Sequence, residues 1–308
     1  MNQPEPSIVS NPADDPRPHQ SSLRWQSQAV LLAFVPVTAV WVTMEAGQLW
    51  YAHNAALFPG AIIAVALAAL VLITRAATPG AALTGAVFTA ALWLQTPGLH
   101  TALWPLLALL VLTFSATRFG RHRKEALGTA EARRGRTASQ VAANLGVAAL
   151  AGIPLSAAHV FSPVAFGGRA AMVAMLAAMA EATADTVSSE LGQVLGGIPR
   201  MITNLRRVPA GTDGAISLAG TLCGSLAAAI LVLVGYVALR HAGEIGLAGL
   251  GFSGLDAVLA LAAGIAGTFI DSLLGAIPER KGWLNNDAVN ALSTLAAALL
   301  AAWLTRWL

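Results

Sequence analysis

In this chain of 308 residues 56% are hydrophobic and only 11% are charged, with a mean hydropathy of +0.67; soluble domains carry roughly 25% charged residues. A water-soluble core is excluded, and the composition is that of a polytopic membrane protein. The formal charge is +3, but clustered arginine in a membrane chain reports topology rather than nucleic-acid binding, and the single cysteine, Cys223, excludes an intrachain disulfide or a Cys-based zinc site.

Residues 1–26 are polar, contain Asp14, Asp15, Arg17 and Arg24, and lack the short apolar stretch and small-residue cleavage site of a signal peptide, so they read as a disordered cytosolic tail. Nine apolar stretches long enough to span a bilayer follow, at about 27–44, 57–74, 80–96, 100–117, 139–157, 167–188, 214–239, 254–276 and 287–305. Thr96-Pro-Gly98 predicts a tight hairpin between the third and fourth. Residues 27–112 form an N-terminal set of helices, and 113–308 carry the motifs, with cytosolic loops at 118–138 and 190–213. With the N-terminus inside, fifteen of the eighteen Lys and Arg residues fall inside, and only Arg169, Arg240 and Arg306 outside, as the positive-inside rule requires. The expected fold is an all-α bundle of about nine transmembrane helices, multi-pass in a bacterial cytoplasmic membrane.

The sixth span carries Glu181-Ala-Thr-Ala-Asp-Thr-Val-Ser-Ser-Glu190. Each ionisable group at membrane depth costs roughly 2.5 to 3.5 kcal/mol, so such groups persist where they pair, bind an ion or face water. At helical spacing Glu181, Asp185, Ser188 and Gly192 share a face, while Glu190 points about 140° away from Asp185. In the eighth span Gly264, Gly267, Asp271 and Gly275 share another face, and small faces let membrane helices approach closely. Glu181, Asp185 and Asp271, with Glu190 as a further candidate, could therefore meet one hard cation. Oxygen ligands without His or Cys favour Mg²⁺ or Mn²⁺. The structural alternative is carboxylates neutralised by a neighbouring arginine.

Lys124 lies in a basic loop, and Arg136, Gln140 and Asn144 repeat every four residues into the fifth span. That polar face could clamp and orient phosphates, or form an interhelical hydrogen-bond seam. Gly211-Thr-Asp-Gly214 places backbone N–H groups of a turn at the start of a helix, an anion site or an ordinary cap with Asp213. Ser189 joins the acidic segment, and Asn286, Asn290 and Ser293 form a stripe at the start of the ninth span, close to Asp287. Gly249-Leu-Gly-Phe-Ser-Gly254 matches a dinucleotide pattern only as a string, because no strand precedes it.

Taken together, Lys124, Arg136-Thr-Ala-Ser-Gln-Val-Ala-Ala-Asn144, the segment Glu181 to Gly192, Gly211-Thr-Asp-Gly-Ala-Ile-Ser217, Asp271-Ser-Leu-Leu-Gly-Ala276 and Asn286-Asp-Ala-Val-Asn290 resemble the motif series of one integral membrane family. It includes animal transmembrane protein 19 and the plant chloroplast phytyl-phosphate kinase, and was long catalogued as a domain of unknown function. The motifs cover about residues 113–295, and the first three helices match only in hydropathy. Leu145 separates Asn144 from Gly146, and Pro278-Glu279 stand where the family pattern suggests Gln.

The resemblance implies transfer of a phosphoryl group from a nucleoside triphosphate, CTP in particular, to a prenyl monophosphate such as phytyl or geranylgeranyl phosphate. Asp185, Asp271 and Lys124 would be catalytic. Arg136, Gln140, Asn144, Ser189, Gly211, Thr212, Asp213, Gly214, Asn286 and Asn290 would bind substrate or nucleotide. An ion-coupled transporter using the same acids, or a non-enzymatic membrane scaffold, are the competing readings.

Overall fold

The computed structural model describes residues 23–129, 135–160, 168–241 and 252–307, with 157–160 in backbone only. The expected tail up to residue 22, Arg133, Arg134 and residues 249–251 of the glycine string lie outside the described residues. The helices are α1 (Arg24–Tyr51), α2 (Leu57–Ile73), α3 (Pro79–Gln95), α4 (Leu103–Arg118), α5 (Arg121–Leu127), α6 (Ala138–Ala151), α7 (Ile153–Val160), α8 (Gly168–Leu195), α9 (Leu218–Leu239), α10 (Gly254–Leu274) and α11 (Asn286–Leu304). A two-residue antiparallel pairing, β1 (Arg200–Met201) with β2 (Ala215–Ile216), closes the loop between α8 and α9.

The chain is an all-α polytopic membrane protein. Each of the nine expected spans coincides with a helix, but among the described residues six helical segments are long and apolar enough to cross a membrane, or seven if α4 and α5, bent by 60°, count as one. The shortfall lies in the N-terminal half, where α2 and α3 have 17 residues and α4 has 16. Two expected boundaries also move. α1 begins at Arg24, inside the expected tail, where Gln26 is buried, donates to the Trp283 carbonyl at 2.8 Å and accepts from Asn285 N–H at 2.8 Å. α8 runs past residue 188 and through Gly192 to Leu195, ending at the glycine pair Gly196-Gly197.

Helix starts are set by capping residues. Thr78 caps α3 ahead of Pro79, Ser217 caps α9, and Asn285 caps α11. Thr137 with Gln140 and Ser253 with Asp256 form capping boxes on α6 and α10. The core is built around α8, whose residues from Ala171 to Ala184 are buried throughout, enclosed by α4, α6, α9, α10 and α11. A helix apolar on every side must be buried, and α8 satisfies that along its first four turns.

Helix ends sort into two sets. At one end Gln95 Nε2 donates to Ala149 O at 2.6 Å, and Arg169 pairs with fully buried Asp256 at 2.8 Å. At the other end Arg118 donates to Thr74 O at 2.8 Å, Thr78 N–H bonds Arg136 O at 3.0 Å, and Asn285 bonds Leu23 O. This second end holds the β1–β2 loop, α5 and most of the arginines.

Candidate active site

The site begins with the contact between α8 and α10. A Cβ added at Gly264 would lie 2.8 Å from Ala180 Cβ, and one at Gly267 would lie 2.6 Å from Glu181 Cγ and 2.8 Å from Ala297 Cβ. The small-residue strip therefore does bring the two backbones together, and no larger side chain fits at either position. One turn further, Asp271 faces the acids of α8. Its neighbours are Asp185, which lies within hydrogen-bonding reach, and Glu181.

Ser293 of α11 completes this cluster. Its hydroxyl donates to Asp271 Oδ2 at 3.1 Å and to Asn290 O at 3.1 Å, with Glu181 as a near neighbour. Glu181 is only 1% exposed, and its Oε1 is buried with no hydrogen-bond partner. A buried carboxylate oxygen left unsatisfied is costly. Among the described residues no three His, Cys, Asp or Glu side chains stand in a ready metal-ligand array. By chemistry alone, three neighbouring carboxylates and hydroxyls with no soft ligand are the oxygen donors a hard divalent cation takes.

Asp185 and Asp271 open onto a cavity of ≈ 290 Å³. Its walls are α8 at Ser188, Ser189 and Gly192, the loop Gly211 to Ser217, the first turn of α9, and α10 with Asn286 opposite. The expected residues Asp185, Ser189, Gly211, Thr212, Asp213, Gly214, Asp271 and Asn286 thus line one space. Gly211 and Gly214 have φ of +82° and +73°, and a Cβ at Gly214 would press on Ala276 N at 2.3 Å. The loop is therefore seated directly on the end of α10. Burial pushes the Asp213 carboxyl above its ordinary range, and the Arg280 guanidinium opposes that shift.

Arg136 approaches the acids from the other side. Its guanidinium donates to Thr186 Oγ1 at 3.4 Å, and it is the cation acting on Asp185. The expected polar face of α6 does not act as one unit. Gln140 Oε1 accepts from Thr137 N–H at 2.8 Å and is a helix cap, a role announced by the Thr-x-x-Gln spacing. Asn144 Oδ1 accepts from Asn290 Nδ2 at 3.3 Å, the interhelical seam between α6 and α11.

Lys124 and Glu190 stand apart from the carboxylate cluster. Lys124 is 1% exposed, and its Nζ donates to Glu190 Oε2 at 2.5 Å, Thr117 O at 2.6 Å and Ala116 O at 3.0 Å. Glu190 therefore turns towards α5, as its angle on the helix predicts, although its charge still acts on Asp185.

One acid escaped the sequence reading as a site residue. α10 passes into a π-helical turn, Gly275–Glu279, containing Pro278. This turn swings Glu279 into the cavity, with Asp213, Asp185 and Asp287 as its charged neighbours. The available signal was Pro278 near the end of an apolar helix, since proline forces an adjustment there and π turns mark functional sites.

Residues 62–298 match the family model described as integral membrane protein DUF92. The chain belongs to that family. The match starts within α2, so it takes in helices that resembled the family only in hydropathy, and it contains the whole acidic cluster. This DUF92 protein is 42% identical to Uncharacterized membrane protein MJ0933 of Methanocaldococcus jannaschii over 135 residues, 44% of this chain and 52% of that one. It is 34% identical to Uncharacterized membrane protein sll0875 of Synechocystis over 197 residues, 64% and 70% of the two chains. It is 31% identical to Protein VTE6, chloroplastic, of Arabidopsis thaliana over 201 residues, 63% and 55% of the two. The chain thus spans about half the length of the archaeal and plant relatives. No solved structure matches it.

Proposed function

We propose that this protein is a lipid-phosphate kinase that transfers the γ-phosphoryl group of a nucleoside triphosphate, CTP by the resemblance, to a prenyl monophosphate such as phytyl or geranylgeranyl phosphate. The observation that carries the reading is the meeting of Glu181, Asp185 and Asp271 from two helices, with Glu181 Oε1 unpartnered and Arg136 facing Asp185. Membership of a family that the sequence motifs link to the plant phytyl-phosphate kinase adds the substrate class.

Phosphoryl transfer asks the protein for positioning and charge neutralisation more than for covalent chemistry. A monophosphate acceptor with a second pKa near 6 is already largely ionised at pH 7, so no strong base is needed. An acceptor phosphate oxygen attacks the γ-phosphorus, the bond from that phosphorus to the β,γ-bridging oxygen breaks, and the nucleoside diphosphate leaves. The lipid product is a prenyl diphosphate. Glu181, Asp185 and Asp271 would hold Mg²⁺ or Mn²⁺, which supplies charge neutralisation for the phosphates. Arg136 steadies acceptor charge, while the Gly211 to Gly214 loop and Asn286 receive the donor. Gln140 caps the start of α6, Asn144 and Asn290 tie α6 to α11, and the pair of Lys124 and Glu190 braces α5 against α8.

The same reading places this end of the bundle in the cytosol, with the N-terminus inside and nine crossings in a bacterial cytoplasmic membrane. The basic residues gathered at this end support it. A carrier tends to place its site near the bilayer midplane; here Asp271 lies in the last turn of α10 and Asp185 in the second half of α8, while Glu181 stands at the middle of α8.

Purified protein incubated with γ-labelled CTP or ATP and geranylgeranyl phosphate, with Mg²⁺ or Mn²⁺, is expected to yield labelled diphosphate. Absence of transfer with every nucleotide and metal combination, together with proton- or sodium-driven uptake in vesicles, would replace the kinase by a carrier.

A further inference from the structure

A second cavity, ≈ 780 Å³, lies between α2, α3, α4 and α6, on the other side of Arg136 from the acidic cavity. Its character is opposite. Apolar side chains such as Leu67, Leu106, Leu110 and Val141 form its body, and Arg75, Arg118, Arg121 and Arg136 collect at one end.

We propose that this groove is the binding site of a single-chain prenyl monophosphate, the tail lying between α2, α3, α4 and α6 and the phosphate resting on the arginine end. The identity of the ligand rests on the kinase reading. The location rests on charge complementarity: the guanidiniums of Arg75, Arg118 and Arg136 at the mouth of an apolar slot, with Arg121 beside them paired to Glu125 at 2.9 Å, fit an amphiphile with one compact, doubly charged head. Local geometry fixes the two arginines nearest that head. Arg118 is oriented by a hydrogen bond to Thr74 O at 2.8 Å and by stacking 4.3 Å over Phe114. The backbone of Arg136 is bridged to Ala77, with Gly135 at φ +74° beside it. A Cβ at Gly135 would lie 2.5 Å from Ala76 C, so the chain enters α6 with Arg136 held at the wall between groove and acids.

Arg136 thereby belongs to both spaces. It lines the groove, and its charge acts on Asp185, which lines the acidic cavity. A phosphate held by Arg136 from the groove side would sit beside the carboxylates that face the nucleotide, while the hydrocarbon tail stays out of the polar cavity.

Gly85 supplies the test, because it lines the groove and a Cβ there would meet nothing within 4 Å. Gly85→Phe fills the slot, and removing glycine from a helix interior is not expected to harm folding. Gly47 on α1 is equally open and lies outside the groove, so Gly47→Phe is the control. Full-length protein in nanodiscs would be photolabelled with a diazirine-bearing geranylgeranyl monophosphate, with and without excess unlabelled compound.

The expected result is competable label on α3 and α4, reduced about tenfold (a 1.4 kcal/mol loss of affinity) by Gly85→Phe and unchanged by Gly47→Phe. Competable label on α9 and α10, no competable label at all, or equal competition by a diacyl phosphatidic acid would overturn the groove assignment. Groove labelling without phosphoryl transfer would retain the site and remove the kinase. Transfer with label elsewhere would retain the kinase and remove the site.

Discussion

Lys124 Nζ lies 2.5 Å from Glu190 Oε2, joining the short helix α5 to the last turns of α8 across 66 residues of sequence. Lys124 is buried, and two backbone carbonyls take its remaining protons, so the ammonium is fixed in place. Breaking a buried ion pair from one side costs about 3–5 kcal/mol, whereas replacing both partners by apolar groups is often neutral. Lys124→Ala is therefore expected to lower the melting temperature sharply, and Lys124→Met combined with Glu190→Leu to recover most of the loss. A double variant as unstable as Lys124→Ala would show that the pair is not what holds α5.

The acidic cluster separates stability from activity. Asp185→Asn and Asp271→Asn preserve shape and remove one charge each, and removing a preorganised electrostatic group of this kind costs about 10²–10³ in kcat. Melting temperatures near wild type with transfer reduced by that factor are expected. Glu181→Gln should also lose transfer, yet melt higher than wild type in metal-free buffer, because it relieves repulsion among three neighbouring carboxylates. A lower melting temperature for Glu181→Gln would contradict the repulsion.

Gly135→Ala tests the entry to α6. The left-handed backbone and the 2.5 Å approach to Ala76 make a loss on the order of 1–3 kcal/mol the expected cost. Transfer should fall with it, since Arg136 follows directly in the chain. Circular dichroism melts and initial rates on the same preparation read both effects.

Much of this site is legible in the sequence. Glu181 and Asp185 four residues apart, and glycines at Gly264 and Gly267 leading to Asp271, obey helical spacing, so the meeting of two helices follows from periodicity and residue size. Glu279 is not legible, because it reaches the cavity through a π turn that shifts the register of α10 beyond Leu274. The partner of Lys124 is hidden for a different reason: a contact 66 residues distant has no spacing signature. Gln140 is a case where the sequence offers two roles, and the local one, the cap on Thr137, is what the fold uses. The groove is invisible because α2, α3 and α4 look equally apolar on every side, and only packing shows which faces stay uncovered.

Metal dependence is checked by chelation. Ethylenediaminetetraacetate should abolish transfer, and adding Mg²⁺ back should restore it and raise the melting temperature of wild type but not of Asp185→Asn. A wild type whose melting temperature ignores Mg²⁺ across the range that supports turnover would place the ion on the nucleotide alone.

Manganese binding read by electron paramagnetic resonance, on wild type, Asp185→Asn and Asp271→Asn in the presence of a non-hydrolysable nucleotide, bears most directly on the joining of α8 and α10 at one cation. One bound Mn²⁺ in wild type that is weakened at least about tenfold (1.4 kcal/mol) by either substitution is the expected result. Undiminished binding in both variants would mean that these carboxylates do not share an ion, and the proposed chemistry would lose its centre.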